Sequence, residues 1–190
     1  MSFVLTTAPA VEPVTLLEAK AHLGINSTFV NDDNLINQLI VASREYAEGY
    51  TNRPLITQTW TFYGDGFNKL MELKPNLQSV TNVKYVDNDG VLQTLATAEY
   101  SVNTHTLVGN ITPAYGKAWP ATRSQSKAVE IEFVAGYGLA VNVPASIKQA
   151  MLLLIGHWYE NRESVIIGTI SSETPMAAKM LLNPYRVITL

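Results

Sequence analysis

The segment Val143 to Val165, VPASIKQAMLLLIGHWYENRESV, constrains the fold more than any other part of the chain. Pro144 is pre-organised for the first turn of a helix, where its missing N–H is no loss. Ile147, Met151, Leu154, Ile155 and Trp158 then recur at three- and four-residue steps, which is the spacing of one buried helical face. Ala150, Leu153 and His157 widen the apolar arc and leave Lys148, Gln149 and Glu160 for the opposite side. The predicted helix, Pro144 to Arg162, is therefore covered over most of its girth, and it stops abruptly in a charged cluster. It carries no catalytic set, so a chain built round it is suited to docking rather than to chemistry.

Its predicted partners lie at both ends of the chain. Thr15-Leu16-Leu17-Glu18 is a capping box, with the Thr15 hydroxyl placed for the Glu18 N–H and the Glu18 carboxylate for the Thr15 N–H. A short helix runs from there to Leu23 and ends at Gly24. A second begins at Asn31 to Asp33, where side-chain oxygens can cap free N–H groups and acids favour the positive end of the helix dipole. Leu35, Ile36, Leu39, Ile40, Ser43, Tyr46, Ala47 and Tyr50 form its stripe, and Arg53-Pro54 stops it. Thr174-Pro175 starts a last short helix and Asn183-Pro184 ends it, with an extended tail from Tyr185 to Leu190.

Between these helices the pattern turns to strands. Thr57 to Tyr63 alternates polar residues with Trp60, Phe62 and Tyr63, and Val83 to Val86 and Val91 to Leu95 flank Asp87-Asn88-Asp89-Gly90, a hairpin signal. Further strands are predicted at Leu70 to Leu73, Tyr100 to Val102, Leu107 to Ile111 and Val129 to Val134. The expected class is α+β: a helical bundle core formed from residues 1–54 and 136–190, with a central antiparallel β-rich insertion at 55–135. The whole is expected to make one compact unit.

Composition narrows the function. Sixteen acidic against thirteen basic residues give a net charge of −3, and no Lys/Arg run occurs, so a strong nucleic-acid footprint is absent. Charged residues make up 15% of the chain, against roughly 25% in ordinary soluble domains, which points to a surface partly covered by neighbours. There is no cysteine, hence neither a disulfide framework nor thiolate chemistry. No signal peptide is read at the N-terminus, and no apolar run approaches the ~20 residues of a membrane span.

Motifs that carry chemistry are missing. Gly136-Tyr137-Gly138 has the first two glycines of a dinucleotide loop, but Val141 stands at the third position, so a strand-to-helix turn is the better reading. Asp87 to Gly90 resembles half a calcium loop, yet aligning Gly90 with the loop glycine puts Tyr85 where the first carboxylate belongs. His22, His105 and His157 are scattered and none lies in H-E-x-x-H; no G-x-S-x-G elbow occurs. No cofactor, metal or catalytic residue is therefore assigned. Large aromatics and Arg are enriched where protein surfaces meet, which makes Tyr159, Arg162 and Glu163 candidate contacts. The apolar loop SVIIGTISSE adds Ile166, Ile167 and Ile170.

The pieces TLLEAKAHL, DDNLINQLIVASREYAEGYTNRPLITQTW, LQSVTNVKYVDNDG, YGKAWPATR, VEIEFVAGYG and VPASIKQAMLLLIGHWYENRE, in that order, resemble the head-tail connector (adaptor, head-completion) proteins of tailed bacteriophages and prophages. Asn76-Leu77 stands where related chains often carry Pro-Leu. The resemblance implies a structural protein without enzymatic activity, located at the virion neck. It implies a ring, usually twelve-fold, beneath the portal of the filled capsid, with portal, stopper or tail-completion protein and other copies of itself as partners. The free chain can be a monomer, and DNA passes the lumen without specific binding. It also implies that the loop at 164–173 and the tail from Pro184 are free to reach neighbours, which adds Tyr185 and Arg186 to the candidate contacts. The competing classes are a DNA-packaging or DNA-binding accessory, which calls for a basic stripe, and an enzyme or ligand module using His157 or Asp87.

Overall fold

The computed structural model describes residues 2–161 and 176–188. The chain is α+β, and it divides into two compact units: residues 1–10 with 57–137, and residues 11–56 with 138–190. The first ten residues thus belong with the strands, whereas the sequence pattern had grouped 1–54 with the helices.

The β unit holds two antiparallel sheets. Strands β1 (Ser2–Thr7), β2 (Gln58–Gly64), β3 (Met71–Pro75), β4 (Leu77–Val86), β5 (Leu92–Thr94), β6 (Tyr100–Asn103), β7 (Val108–Pro113) and β8 (Val129–Ala135) follow in chain order. One sheet has the order β1-β2-β8-β4-β5 and the other β3-β7-β6. In β8 the alternation is clear: Val129, Ile131, Phe133 and Ala135 are buried while Glu130, Glu132 and Val134 between them are half-exposed. The period-2 pattern therefore buries one face. That face shares a core with Phe62, Met71, Leu73, Val83 and Ile111. Gly109 in β7 is required by packing, because a Cβ there would sit 2.6 Å from Leu77 Cδ2 and closer still to Leu77 Cβ.

The predicted strands are all present, and the Asp87 to Gly90 hairpin forms as expected. Asp87 accepts bonds from the Asp89 and Val91 N–H groups at 3.1 and 2.9 Å and from Gln93 Nε2 at 2.8 Å. Gly90 takes φ +86°, the conformation glycine adopts without strain. Asn76, between β3 and β4, has φ +58°. Proline cannot adopt that angle, so the departure from Pro-Leu is built into this turn. Strand β1 was not expected: it edges the sheet, pairs Phe3 with Phe62 and Leu5 with Trp60, and is exposed at all six residues. A strand with no buried face shows no alternation to read.

The helical unit is built from α1 (Leu16–His22), α2 (Asp33–Thr51), α3 (Ala145–Glu160) and α4 (Met176–Leu182). The capping box of α1 is formed in both directions, with Glu18 N–H to Thr15 Oγ1 at 3.2 Å and Thr15 N–H to Glu18 Oε2 at 2.7 Å. Burial on α3 falls on Ile147, Ala150, Met151, Leu154 and Ile155, the face its spacing indicated, each large aliphatic contributing about 1.5–3 kcal/mol. Pro144 sits one position earlier than expected, at the N-cap. Helix α3 packs against both α2 and α4. Trp158 is half-buried, edge-on to Tyr46 at 6.2 Å.

Helix α2 ends at Asn52, in the left-handed conformation with φ +54°. Arg44 lies inside the unit, its Nε bonded to Glu12 Oε2 at 2.8 Å and its Nη1 to Glu48 Oε2 at 2.9 Å. Glu48 also takes the Leu55 N–H at 2.8 Å, which ties the exit of α2 to the same network.

Candidate functional site

The sequence-predicted contacts that fall on described residues are Tyr159, Tyr185 and Arg186; Arg162, Glu163, Ile166, Ile167 and Ile170 lie outside the described residues. Tyr159, in the last turn of α3, is half-buried and donates its hydroxyl hydrogen bond to the Asp32 carboxylate. The neighbouring Asp33 carboxylate pairs with the Lys20 ammonium, which also donates to the Phe29 carbonyl at 2.7 Å and the Ser27 carbonyl at 3.3 Å. The two aspartates were expected to cap α2, but Asp32 makes no side-chain cap bond. They fasten the start of α2 to α3 and α1 instead, while still lying at the positive end of the α2 dipole.

Tyr185 and Arg186 sit at the other end of α2. Tyr185 belongs to a short 3₁₀ turn, Asn183–Tyr185, and its carbonyl accepts from Arg53 Nε at 2.6 Å. The Arg186 guanidinium lies 5.4 Å from the centre of the Tyr50 ring, and the Val187 N–H bonds to the Thr51 carbonyl at 2.9 Å. Val187 itself is buried. The tail is therefore pinned as far as Val187, where the sequence pattern indicates an extended tail from Tyr185 and the resemblance implies one free from Pro184; Ile188 is the first exposed residue after it. Because α2 has 19 residues and rises about 1.5 Å per residue, Tyr159 and the Tyr185–Arg186 pair bond at places roughly a helix length apart. They do not form one cluster.

The groups a catalytic reading would use are engaged within the fold. His157 Nδ1 is 3.4 Å from Asn161 Nδ2, and its carbonyl accepts from that nitrogen at 2.8 Å. Asp87 spends both oxygens in its own hairpin, and those bonds, Gln93 first and Val91 next, hold its carboxyl below its ordinary pKa. A groove of about 640 Å³ in the β unit is lined by Lys69, Leu70, Thr112, Pro113, Lys117 and Trp119, without a carboxylate or histidine in its lining. Among the described residues no group of three His, Asp or Glu comes together to hold a metal, and no helix is long and apolar enough to cross a membrane.

Two surfaces that the apolar stripes did not mark are exposed on the helical unit. On α2, Asn37, Gln38, Val41, Ala42 and Glu45 line a shallow groove of about 370 Å³. On α4, Met176 and Met180 are 70% and 65% exposed. The signal was present in the sequence as positions off the buried stripe that carry almost no charge.

Residues 13–188 match the family model described as head completion protein. The chain belongs to the head completion protein family. Among solved structures, this head completion protein resembles a chain in the neck of an empty gene transfer agent (GTA) particle computed with C6 symmetry, at TM-score 0.81 and 23% identity over 100% of this chain and 97% of that one. It also resembles one in the neck of a native GTA particle computed with C12 symmetry, at TM-score 0.79 and 22% identity over the same shares. A chain in the virion of the native GTA particle matches at TM-score 0.81 and 23% identity, again over 100% and 97%. At this identity the likeness shows a shared fold. No curated protein matches.

Proposed function

We propose that this head completion protein is a structural adaptor at the neck of a phage-like particle, assembling as a ring under the portal and linking the DNA-filled head to the stopper and tail. The observation that carries the reading is the family match over residues 13–188, which takes in the helices and nearly all of the strands. A twelve-fold ring is consistent with both symmetries applied to its structural neighbours, since six-fold symmetry is contained in twelve-fold. The role is one of contact, and Tyr159, Arg162, Glu163, Ile166, Ile167, Ile170, Tyr185 and Arg186 are its proposed subunit or portal contacts.

Electron microscopy of the protein mixed with the portal of its own particle tests this: a ring seated on the portal is expected. Failure to bind portal, together with tailed particles of normal infectivity when the gene is deleted, would overturn it. The lumen is expected to be neutral to acidic, in keeping with a chain of net charge −3, so that DNA phosphates pass without the attraction that basic side chains exert. Tight, salt-dependent DNA binding by the purified ring would refute that part.

A further inference from the structure

We propose that neighbouring subunits join by seating α4 of one copy in the α2 groove of the next; this rests on the ring reading above. Three observations lead there. The first is the position of the two surfaces. Helix α3 packs against both α2 and α4, and α2 and α4 also touch each other. The α2 residues turned inward are Ile36, Ile40, Ser43, Arg44, Ala47 and Thr51, and Val41 and Glu45 are exposed, so the arc carrying those two faces away from the unit. On α4 the buried residues are Ala178 and Leu182. Met176 and Met180 are two positions out of phase with them, about half a helical turn, and so face outward. Two different uncovered faces on one unit are what a head-to-tail interface needs, and such an interface closes into a ring when the rotation permits.

The second observation is chemical fit. From Asn34 to Gly49 the exposed positions of α2 are Asn34, Asn37, Gln38, Val41, Ala42, Glu45 and Gly49, with one charge among them. A solvated helix face is ordinarily the charged one. Ala42 at the groove leaves room for a second helix, and Met176 and Met180 are long, unbranched side chains able to fill an irregular groove. The third is charge complementarity. Glu45 is 66% exposed and only loosely paired with Arg44 at 3.7 Å. Lys179, half-buried on the flank of α4 between its buried face and the Met176–Met180 face, makes no ion pair among the described residues. A carboxylate beside the groove and an ammonium beside the methionines select the antithetic face over a copy of the same one. A seven-residue helix in one groove is a small interface for an isolated pair, so closure of the ring or a portal template supplies the rest.

The absence of cysteine allows a direct test in the full-length chain. Ala42→Cys and Met180→Cys variants, mixed and oxidised with the portal present, are expected to form a disulfide-linked dimer that neither variant forms alone. The double variant is expected to give a ladder reaching the closed ring. Glu45→Lys and Lys179→Glu should each reduce ring formation at least tenfold in concentration, and the two together should restore it. Rings that assemble without the 42–180 link, a dimer from Ala42→Cys alone, or no rescue by the double exchange overturns the interface while leaving the ring reading intact. A chain that stays monomeric beside its portal overturns both.

Discussion

Arg44→Met is the substitution whose cost follows most directly from the structure. The Arg44 side chain is 8% exposed and holds two carboxylates, Glu12 at 27% and Glu48 at 15% exposure, while its contact with Glu45 at 3.7 Å is open to solvent and contributes little. Burial alone would lower the Arg44 pKa, yet the carboxylates of Glu48 and Glu12 raise it, so the cation is firmly retained. Methionine preserves the aliphatic stem but leaves two acids facing each other without their partner. Breaking a buried pair in this way costs about 3–5 kcal/mol. The lower figure is the better one here, because Glu12 can turn toward water and Glu48 keeps its bond from Leu55 N–H.

The assay is urea unfolding followed by circular dichroism at 222 nm, which reports the helical unit because all four described α-helices lie in it. A loss of about 3 kcal/mol is expected near neutral pH. The gap should narrow in acid. In the variant, unpaired and partly buried carboxylates have raised folded-state pKa values, so their penalty is present at high pH and fades as pH falls through those values. A loss under about 1 kcal/mol, the range of an exposed pair, or a gap that does not change with pH, would refute the reasoning.

Gly109→Ala should cost at least about 1–3 kcal/mol through overpacking, and Leu77→Ala should not rescue it, because the closest contact is with Leu77 Cβ, which alanine retains; tryptophan fluorescence in denaturant reads both. Thr15→Ala should cost about 1 kcal/mol by removing the α1 cap. The Glu18 carboxyl, held below 4.5 first by its backbone bond from Thr15, which alanine keeps, stabilises the fold fully above that value and progressively less as pH falls through the lower folded value, so a Glu18→Gln deficit that persists unchanged at pH 2 would contradict it. Truncation after Val187 should leave unfolding unchanged, whereas removal of 184–190 should destabilise the helical unit by stripping the buried Val187 and its bond to Thr51; co-purification with portal after the shorter truncation reads docking by residues 188–190 alone, since Tyr185 and Arg186 stay in place.

The legible parts of the fold were those where a local rule and the tertiary fold agree. The α3 face, the Thr15–Glu18 box, the Asp87 hairpin and the alternation of β8 are each written within a few residues of one another. Strand β1 escaped because its partner β2 is more than fifty residues away in sequence and its own six residues are all exposed. The aspartates before α2 misled for a related reason. A capping oxygen is a local option, but Tyr159 and Lys20 reach them from other helices, and nothing near Asp32 in the sequence announces a phenol 127 positions on. The docking of the tail escaped because six residues without a helical period carry no sign of one buried valine.

The shortage of charge in the composition also gains a location. A chain with 15% charged residues could be poor in charge evenly, and then it would say little about contacts. Here two of its cations, Lys20 and Arg44, are buried and satisfied by internal acids, which removes them from the surface. On α2 the shortage is concentrated on the arc from Asn34 to Gly49, where seven exposed positions carry one acid, although an outward helix face is where charge costs least and solubility gains most. Polar but uncharged side chains with a small apolar patch tolerate water in the free subunit and lose little on leaving it, since burying an amide costs far less than burying an ion. The ring proposed above places both demands on its subunit at once, and an α2 face of this kind suits both.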